Sequence, residues 1–330
     1  MPGRGGALRG VALALGAFAL FSLHDVAVKL LGGGYSVFQV VFFSVLLSFP
    51  LVVLMLLRDP EPGTLLPRHP GWTALRTACT TVTATCVFYA FATLPLAQVY
   101  AIIFTMPLLI TVLSIPVLGE RVGLHRGAAV VVGLGGVLIV LRPGATDLEL
   151  GHAAALVAAL ASSLASVIVR RIGRAERTAV LLLYPMMANV VAMGAVLPFV
   201  YRPIPLADFG LWALLAALAF GASLLIIQAY RAADAALVAP MQYSQILWAA
   251  LYGAVLFDET VDGGTALGAG VIIASGLYVV LREARGASAR TPVLRTRSRV
   301  DTGTTARVSP LLTPSERDGG LPAPRGETVS

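Results

Sequence analysis

The sequence alternates between long apolar runs and short polar connections, and this alternation constrains the fold more than any other feature. A helix needs about 20 apolar residues to cross the hydrocarbon core of a bilayer. The chain is 57% hydrophobic and only 12% charged, more apolar surface than a soluble core buries. The runs also lack the period-2 polar alternation of an outer-membrane barrel. We therefore predict ten transmembrane helices, at residues 10–31, 36–57, 77–94, 96–118, 123–141, 152–169, 179–200, 209–230, 235–257 and 264–281.

The second half of the chain repeats landmarks of the first half at a nearly constant offset. Glu120 and Glu259 each follow a long apolar run, and they are 139 positions apart. Lys29 and Arg170 close another matching pair of runs and are 141 positions apart. Five spans per half is an odd number, so the second copy must enter the membrane from the opposite side. This predicts an all-α membrane protein built as two inverted five-helix repeats, an arrangement typical of secondary transporters.

The sequence divides into three parts on this interpretation. The first repeat covers residues 8–142 and the second covers residues 151–283. Residues 286–330 are rich in Arg, Ser, Thr, Gly and Pro, a composition that cannot bury a core. We predict that they form a disordered cytoplasmic tail.

Positive charge is distributed unevenly between alternate loops. The formal net charge is +7, which by itself would be compatible with a nucleic-acid partner. With the N-terminus inside, however, one side of the membrane holds most of the arginines and the other holds only Lys29, Arg142 and Arg202. This positive-inside pattern predicts a multi-pass protein of a bacterial inner membrane with both termini in the cytoplasm. The predicted surroundings are a lipid bilayer, with no nucleic acid.

Three segments carry a resemblance to a known family. They read LFSLHDVAVKLL, FYAFATLPLAQVYAIIFTMPLLITVLSIPVLGERVG and VAPMQYSQILWAALYGAVLFDE. They resemble EamA-type carriers of the drug/metabolite transporter superfamily, over about residues 8–283 in two tandem units. The resemblance implies ten helices, cytoplasmic termini and alternating access around a central cavity. It leaves the identity of the substrate open.

Ionisable residues inside the first predicted span require an explanation, because each costs at least about 2.5–3.5 kcal/mol at mid-bilayer. Asp25 and Lys29 are spaced i,i+4 with the acid first, the favourable order for an ion pair. Ser22 lies on the same stripe, with His24 about 100° away. We predict that Asp25 and Lys29 bind substrate and that Ser22 and His24 line the cavity. The alternative is that Lys29 extends outward and Asp25 merely neutralises it.

The ninth predicted span has the densest set of polar and aromatic side chains. Gln242, Gln245, Trp248 and Tyr252 lie within about 120° of one helix face. Amides beside an indole suit a planar or zwitterionic ligand, through hydrogen bonds and cation–π contacts. We predict that all four bind substrate. The alternative is that the amides join helices and the aromatic rings belong to the interfacial belt.

Other spans contribute single candidates. Tyr89 in the third span is predicted to bind substrate. Tyr100 in the fourth span, and Gln228 and Tyr230 in the eighth, are predicted to border the cavity. Pro107 removes a backbone donor near the middle of the fourth span, so it creates either a flexible point for gating or a static kink.

Two other classes of function are weighed against a carrier. An intramembrane enzyme acting on a lipid-linked substrate is disfavoured, because the four histidines show no metal-ligand spacing and no nucleophile–base pair. A non-transporting scaffold is disfavoured because it needs no amides at mid-depth. We therefore predict a secondary transporter of a small amphipathic metabolite, amino-acid-like or related, with no catalytic residues, metal or cofactor.

Overall fold

The computed structural model describes residues 4–57, 64–120, 122–142, 148–173, 175–233 and 238–285, and every regular element in these ranges is helical. The predicted tail at 286–330 lies outside the described residues. The helices are α1 (Arg4–Gly32), α2 (Val37–Leu57), α3 (Pro70–Thr93), α4 (Leu96–Ile103), α5 (Met106–Leu118), α6 (Leu124–Leu141), α7 (Leu150–Ile172), α8 (Thr178–Val200), α9 (Leu206–Ala232), α10 (Ser244–Phe257) and α11 (Gly263–Arg285), with a 3-10 turn at Ala239–Tyr243.

Six segments of the described chain are long and apolar enough to cross a membrane, which confirms that this is a multi-pass membrane protein. They are Leu8–Gly32, Leu96–Leu118, Leu124–Leu141, Leu150–Ile172, Ala179–Val200 and Asp208–Tyr230. Two shorter apolar helices, Val37–Pro50 and Gly263–Val279, lie between and after them. The third predicted span corresponds to α3, which is long enough at 24 residues but is rich in threonine.

Two of the predicted spans are interrupted. The fourth consists of α4 and α5, separated by a short turn at Phe104 and Thr105. The ninth enters through the 3-10 turn Ala239–Tyr243, which contains Pro240, and continues as α10. Interrupted helices are tolerated at membrane depth only where protein or a cavity satisfies the freed backbone groups.

The main helix contacts join the N-terminal half to the C-terminal half. Helix α1 packs along α9 and α3 packs along α7, while α2 packs against α8 and α6 against α11. The α1–α9 contact buries Phe18 and Phe21 against Ala222, Ile226 and Ala229. The halves are therefore interleaved, and residues at their interface come from both.

Glycines allow α6 and α11 to approach closely. A Cβ atom placed on Gly136 would lie 2.9 Å from the Gly268 carbonyl oxygen, and one on Gly268 would lie 2.6 Å from the Gly136 carbonyl oxygen. The Ser275 hydroxyl also donates to the Ala129 carbonyl across this contact. Small residues of this kind let membrane helices pack backbone to backbone.

Candidate functional site

A buried carboxylate lies close to the contact between the two halves of the chain. Asp25 is only 3% exposed, although it is on a helix of membrane-spanning length. Its Oδ1 atom lies 2.8 Å from His24 Nδ1, and its Oδ2 atom accepts a hydrogen bond from the Tyr100 hydroxyl. A buried charge is tolerated only with such partners. Here they come from α1 itself and from α4.

The hydrogen bonds of this carboxylate continue into the second half of the chain. Gln245 Nε2 donates to the Tyr100 hydroxyl oxygen over 3.2 Å. The Ser22 hydroxyl donates to the Gln245 backbone carbonyl over 3.4 Å. We call Ser22, His24, Asp25, Tyr100 and Gln245 the polar cluster. All five are buried, so the cluster connects α1 and α4 to α10 away from solvent.

One atom of the polar cluster is left with no partner among the described residues. His24 Nε2 is buried and makes no hydrogen bond there. The imidazole ring meets the Phe88 ring edge-on, with 6.4 Å between ring centroids. An unsatisfied buried polar atom costs about 1–3 kcal/mol, so this nitrogen is available to a ligand or a water molecule.

Lys29 contacts a different carboxylate from the one that its spacing predicts. Its ammonium group pairs with Glu259 and donates to the Leu94 carbonyl over 2.6 Å. It also lies 5.1 Å from the centroid of the Phe257 ring. Lys29 is thus tied to the end of α10, and its pairing with Glu259 does not account for the charge of Asp25.

Only one of the four candidates on the ninth predicted span belongs to the polar cluster. Gln245 is a member of it, while Gln242 lies in the 3-10 turn and is half-buried. The rings of Trp248 and Tyr252 stack on each other at 6.2 Å between centroids. Trp248 Nε1 is buried with no hydrogen-bond partner in the described ranges, which leaves one indole donor on the helix that carries Gln245.

The remaining candidates are dispersed. Tyr89 is half-buried on α3. Gln228 is exposed on α9, and Tyr230 packs against the apolar α1–α9 contact. Pro107 is the second residue of α5, directly after the turn at Thr105.

Two sets of contacts between the halves repeat each other at the offsets seen in the sequence. In each set a serine hydroxyl donates to a backbone carbonyl, and the basic residue seven positions after the serine pairs with the glutamate fourteen positions after the carbonyl. The contacts are Ser22 to Gln245 (3.4 Å) with Lys29 to Glu259, and Ser163 to Met106 (3.3 Å) with Arg170 to Glu120 (2.5 Å). The donors differ by 141 positions and the acceptors by 139. Asp25 has no such counterpart, because the equivalent position is Ser166.

Sequence reasoning identified Glu120 and Glu259 only as residues that each follow a long apolar run. It therefore missed that each binds the basic residue at the end of a span in the other half. The sequence did carry a signal for these contacts, because a basic residue and a glutamate that both recur in the second half are candidates to contact each other. To use that signal, one must also know that α1 lies beside α10 and α7 beside α5.

A solvent-facing cleft opens near Glu259 rather than at Asp25. It lies between the start of α4 and the end of α10. Its lining includes Gln98, Ala97, Gly253 and Thr265. The polar cluster itself is closed to solvent in this conformation. In the ranges that the structure describes, no three His, Cys, Asp or Glu side chains group closely enough to hold a metal ion.

Comparison with known proteins identifies relatives across most of the chain. The model of the EamA-like transporter family matches residues 8–142 and again 149–281. An S-adenosylmethionine uptake transporter of Rickettsia bellii is 26% identical over 86% of this chain and 98% of its own length. A riboflavin transporter of Rhizobium johnstonii is 28% identical over 59% of this chain and 65% of its own. A pseudopaline exporter of Pseudomonas aeruginosa is 25% identical over 84% and 97%.

A solved crystal structure shares the fold. It superimposes with a TM-score of 0.54 at 19% sequence identity, and the match covers 86% of this chain and 99% of the other. At that identity the similarity concerns the architecture alone.

Proposed function

Because the chain belongs to the EamA-like transporter family, we propose that it is a secondary carrier of a small amphipathic metabolite that works by alternating access in a bacterial inner membrane. The relatives are transporters of small metabolites, not enzymes. The single observation that carries the proposal is the polar cluster. It is buried at the meeting of the two halves, where secondary transporters place their substrate.

The topology proposed for this carrier is ten spans in two inverted repeats, with both termini in the cytoplasm. Its first support is the repetition of contacts between the halves. A pseudo-two-fold axis in the membrane plane would relate the Lys29–Glu259 pair at one end of the molecule to the Arg170–Glu120 pair at the other. Its second support is the arginine distribution between loops. The repeats are taken as residues 8–142 and 151–283.

The substrate site proposed here is centred on Asp25, Tyr100 and Gln245, with His24 and Ser22 beside them. A buried carboxylate whose partners are a phenol and an imidazole favours a ligand that brings a positive charge. S-adenosylmethionine has that character, since it contains a sulfonium and an ammonium group. It is the first substrate class to test, and riboflavin is the uncharged comparison.

Gln242, Trp248, Tyr252, Lys29 and Tyr89 are proposed as outer members of the same path. The Trp248 and Tyr252 rings form an aromatic surface on α10, the helix that carries Gln245. A planar ligand moving along α10 would stack on that surface, and the unpaired Trp248 indole would supply one donor.

The experiment is substrate flux into proteoliposomes that contain the purified full chain. Radiolabelled S-adenosylmethionine, riboflavin and a panel of amino acids are compared, each with excess unlabelled competitor. Saturable flux of at least one compound is expected. A thermal shift should accompany it, because a ligand at 100 times its Kd stabilises the native state by about 2.7 kcal/mol. Chemical conversion of a lipid-linked substrate without flux would instead indicate an enzyme, and neither activity would indicate a scaffold.

A further inference from the structure

Two ion pairs connect the halves at opposite ends of the molecule. Lys29 and Glu259 meet beside Leu96, where the α4–α5 span begins, and Arg170 meets Glu120 just after that span ends. The span Leu96–Leu118 has 23 residues, which corresponds to about 35 Å at 1.5 Å per residue. The two pairs are therefore separated by roughly the thickness of a bilayer core.

The first pair holds several elements together. Glu259 Oε2 accepts the Leu96 backbone N–H over 3.0 Å, at the start of α4 where helical N–H groups have no partner in their own helix. Lys29 donates in turn to the carbonyl of Leu94, the residue directly after α3. Gly253 leaves room for the carboxylate, since a Cβ atom there would lie 2.6 Å from Glu259 Oε2. One ion pair thus closes the junction of α1, α3, α4 and α10.

The second pair closes the other end in the same way. Arg170 Nη2 lies 2.5 Å from Glu120 Oε1, with the arginine side chain only 6% exposed. The neighbouring Arg171 donates to the Val117 carbonyl at the end of α5 and lies 4.6 Å from the centroid of the Trp72 ring. This end therefore ties α7 to α5 and to α3.

Both pairs are largely buried, so removing one partner of either pair costs more than removing one partner of a surface salt bridge. The side chains of Lys29 and Glu259 are 14% and 16% exposed. Removing one partner from such a pair leaves an uncompensated charge and destabilises the closed arrangement strongly. Opening one end costs one pair, whereas opening both ends together costs two. The chemistry thus favours conformations in which at least one end is closed.

We propose that these pairs are two latches that open alternately, the Lys29 latch (Lys29–Glu259) giving access to the polar cluster from one side of the membrane and the Arg170 latch (Arg170–Glu120) from the other. The inference rests on the proposed carrier function. Its physical basis is that the latches are equivalent positions of the two repeats. An exchange of the conformations of the two halves closes one latch as it opens the other, and the structure has both closed.

The test measures which end of the protein is accessible when a latch is removed. In a chain with Cys79→Ala and Cys86→Ala, a single reporter cysteine is placed at one end. Ala97→Cys, 4% exposed and lining the cleft beside Glu259, reports on the Lys29 end. Ser166→Cys, 5% exposed and one turn before Arg170, reports on the other. Alkylation rates by a membrane-permeant maleimide are measured in proteoliposomes.

The expected result is opposite changes at the two ends. Lys29→Met should raise the rate at Ala97→Cys about tenfold and lower that at Ser166→Cys, because removing one latch shifts the population toward the state in which the other is closed. Arg170→Met should do the reverse. The charge-reversed pair Arg170→Glu with Glu120→Arg should return both rates to within about twofold of the parent, since the ion pair is restored.

The matched control is a third ion pair between the halves. Arg142 at the end of α6 pairs with Asp262 before α11, but their side chains are 36% and 52% exposed. An exposed pair contributes little, so Arg142→Met should leave both reporter rates within about twofold of the parent. Equal effects of Arg142→Met and Lys29→Met would overturn the latch assignment.

Other outcomes separate the latches from the carrier function. If each latch variant raises both reporter rates together, the pairs are general packing contacts and the proposal fails. If substrate flux is normal but neither rate changes, the carrier remains and the latches are refuted. If the rates change in opposite directions in a protein that moves none of the tested substrates, the latches are supported and the proposed substrate class is what fails.

Discussion

The Tyr100 hydroxyl donates to the Asp25 carboxylate, and this contact links the C-terminal part of α1 to the half-helix α4 that ends just before the turn at Thr105. Gln245 donates to the same phenol from α10. A ligand that replaced either hydrogen bond would change the contacts that hold α1, α4 and α10 together. In the proposed carrier, ligand binding would therefore be coupled to helix movement through one side chain, because a ligand shifts a conformational equilibrium only through contacts that differ between the states.

Asp25→Asn tests whether the buried carboxylate couples transport to protons or holds a cationic group. For proton coupling, the amide should abolish uphill accumulation in proteoliposomes while exchange of substrate across the membrane persists, because exchange needs no net proton movement. For substrate binding, both activities should fall and the apparent affinity for a cationic substrate should weaken. Normal transport by the variant at every pH tested would remove Asp25 from the site.

Tyr100→Phe tests the central hydrogen bond. Hydrogen bonds to charged groups contribute about 1.5–3 kcal/mol, so we expect a loss of roughly 10- to 100-fold in the transport rate at low substrate concentration. The matched control is Tyr201→Phe, which removes a hydroxyl from a residue that is 50% exposed after α8. Similar losses in the two variants would show that the phenol of Tyr100 has no special role.

Gln245→Ala and Trp248→Ala test the face of α10. Both should reduce transport strongly while the protein still reaches the membrane, because one removes a donor to Tyr100 and the other an unpaired indole donor and an aromatic surface. Leu247→Ala, on the same helix at a position that is 71% exposed, should have little effect. Flux and the amount of protein in the membrane are measured together. Equal flux in all three variants would show that Gln245 and Trp248 contribute to helix packing and not to substrate binding.

Cysteine labelling in intact cells tests the proposed orientation. A cysteine at Leu148, which is 56% exposed before α7, should react with an impermeant thiol reagent. A cysteine at Leu66, which is 72% exposed before α3, should be shielded until the cells are opened. The reverse pattern would overturn the assignment of both termini to the cytoplasm, and with it the interpretation of the arginine distribution.

Tyr35 lies between α1 and α2 and gives a pH-dependent contact between the halves. Its hydroxyl donates to the Asp208 carboxylate, and this hydrogen bond to a negative charge raises the pKa of Tyr35 from 10.0 to about 12. A group with a raised folded pKa contributes stability that is complete below pH 10 and is lost as the pH rises through about 12. The absorbance difference between wild type and Tyr35→Phe should titrate near pH 12. A midpoint at pH 10 would contradict the contact.

The membrane class and the family were readable from the sequence because both depend on local properties. Apolar run length decides whether a segment can leave water, and the α4–α5 span was predicted at 96–118, where the structure has Leu96–Leu118. The two family matches at 8–142 and 149–281 confirm the two tandem units. The number of spans is less readable, because the threonine content of α3 makes its hydropathy marginal.

Which side chains meet was decided by the tertiary structure. The spacing of Asp25 and Lys29 allowed an i,i+4 pair, but α10 brings Glu259 to Lys29 across 230 positions and α4 brings Tyr100 to Asp25 across 75. A sequence predicts the helix face on which a side chain lies, whereas the residue that this side chain contacts depends on which helices pack together. That choice is a free-energy balance over the whole interface of α1 with α9, α10 and α3. The composition therefore determined that the chain enters a bilayer, and helix packing alone determined which charges are paired there.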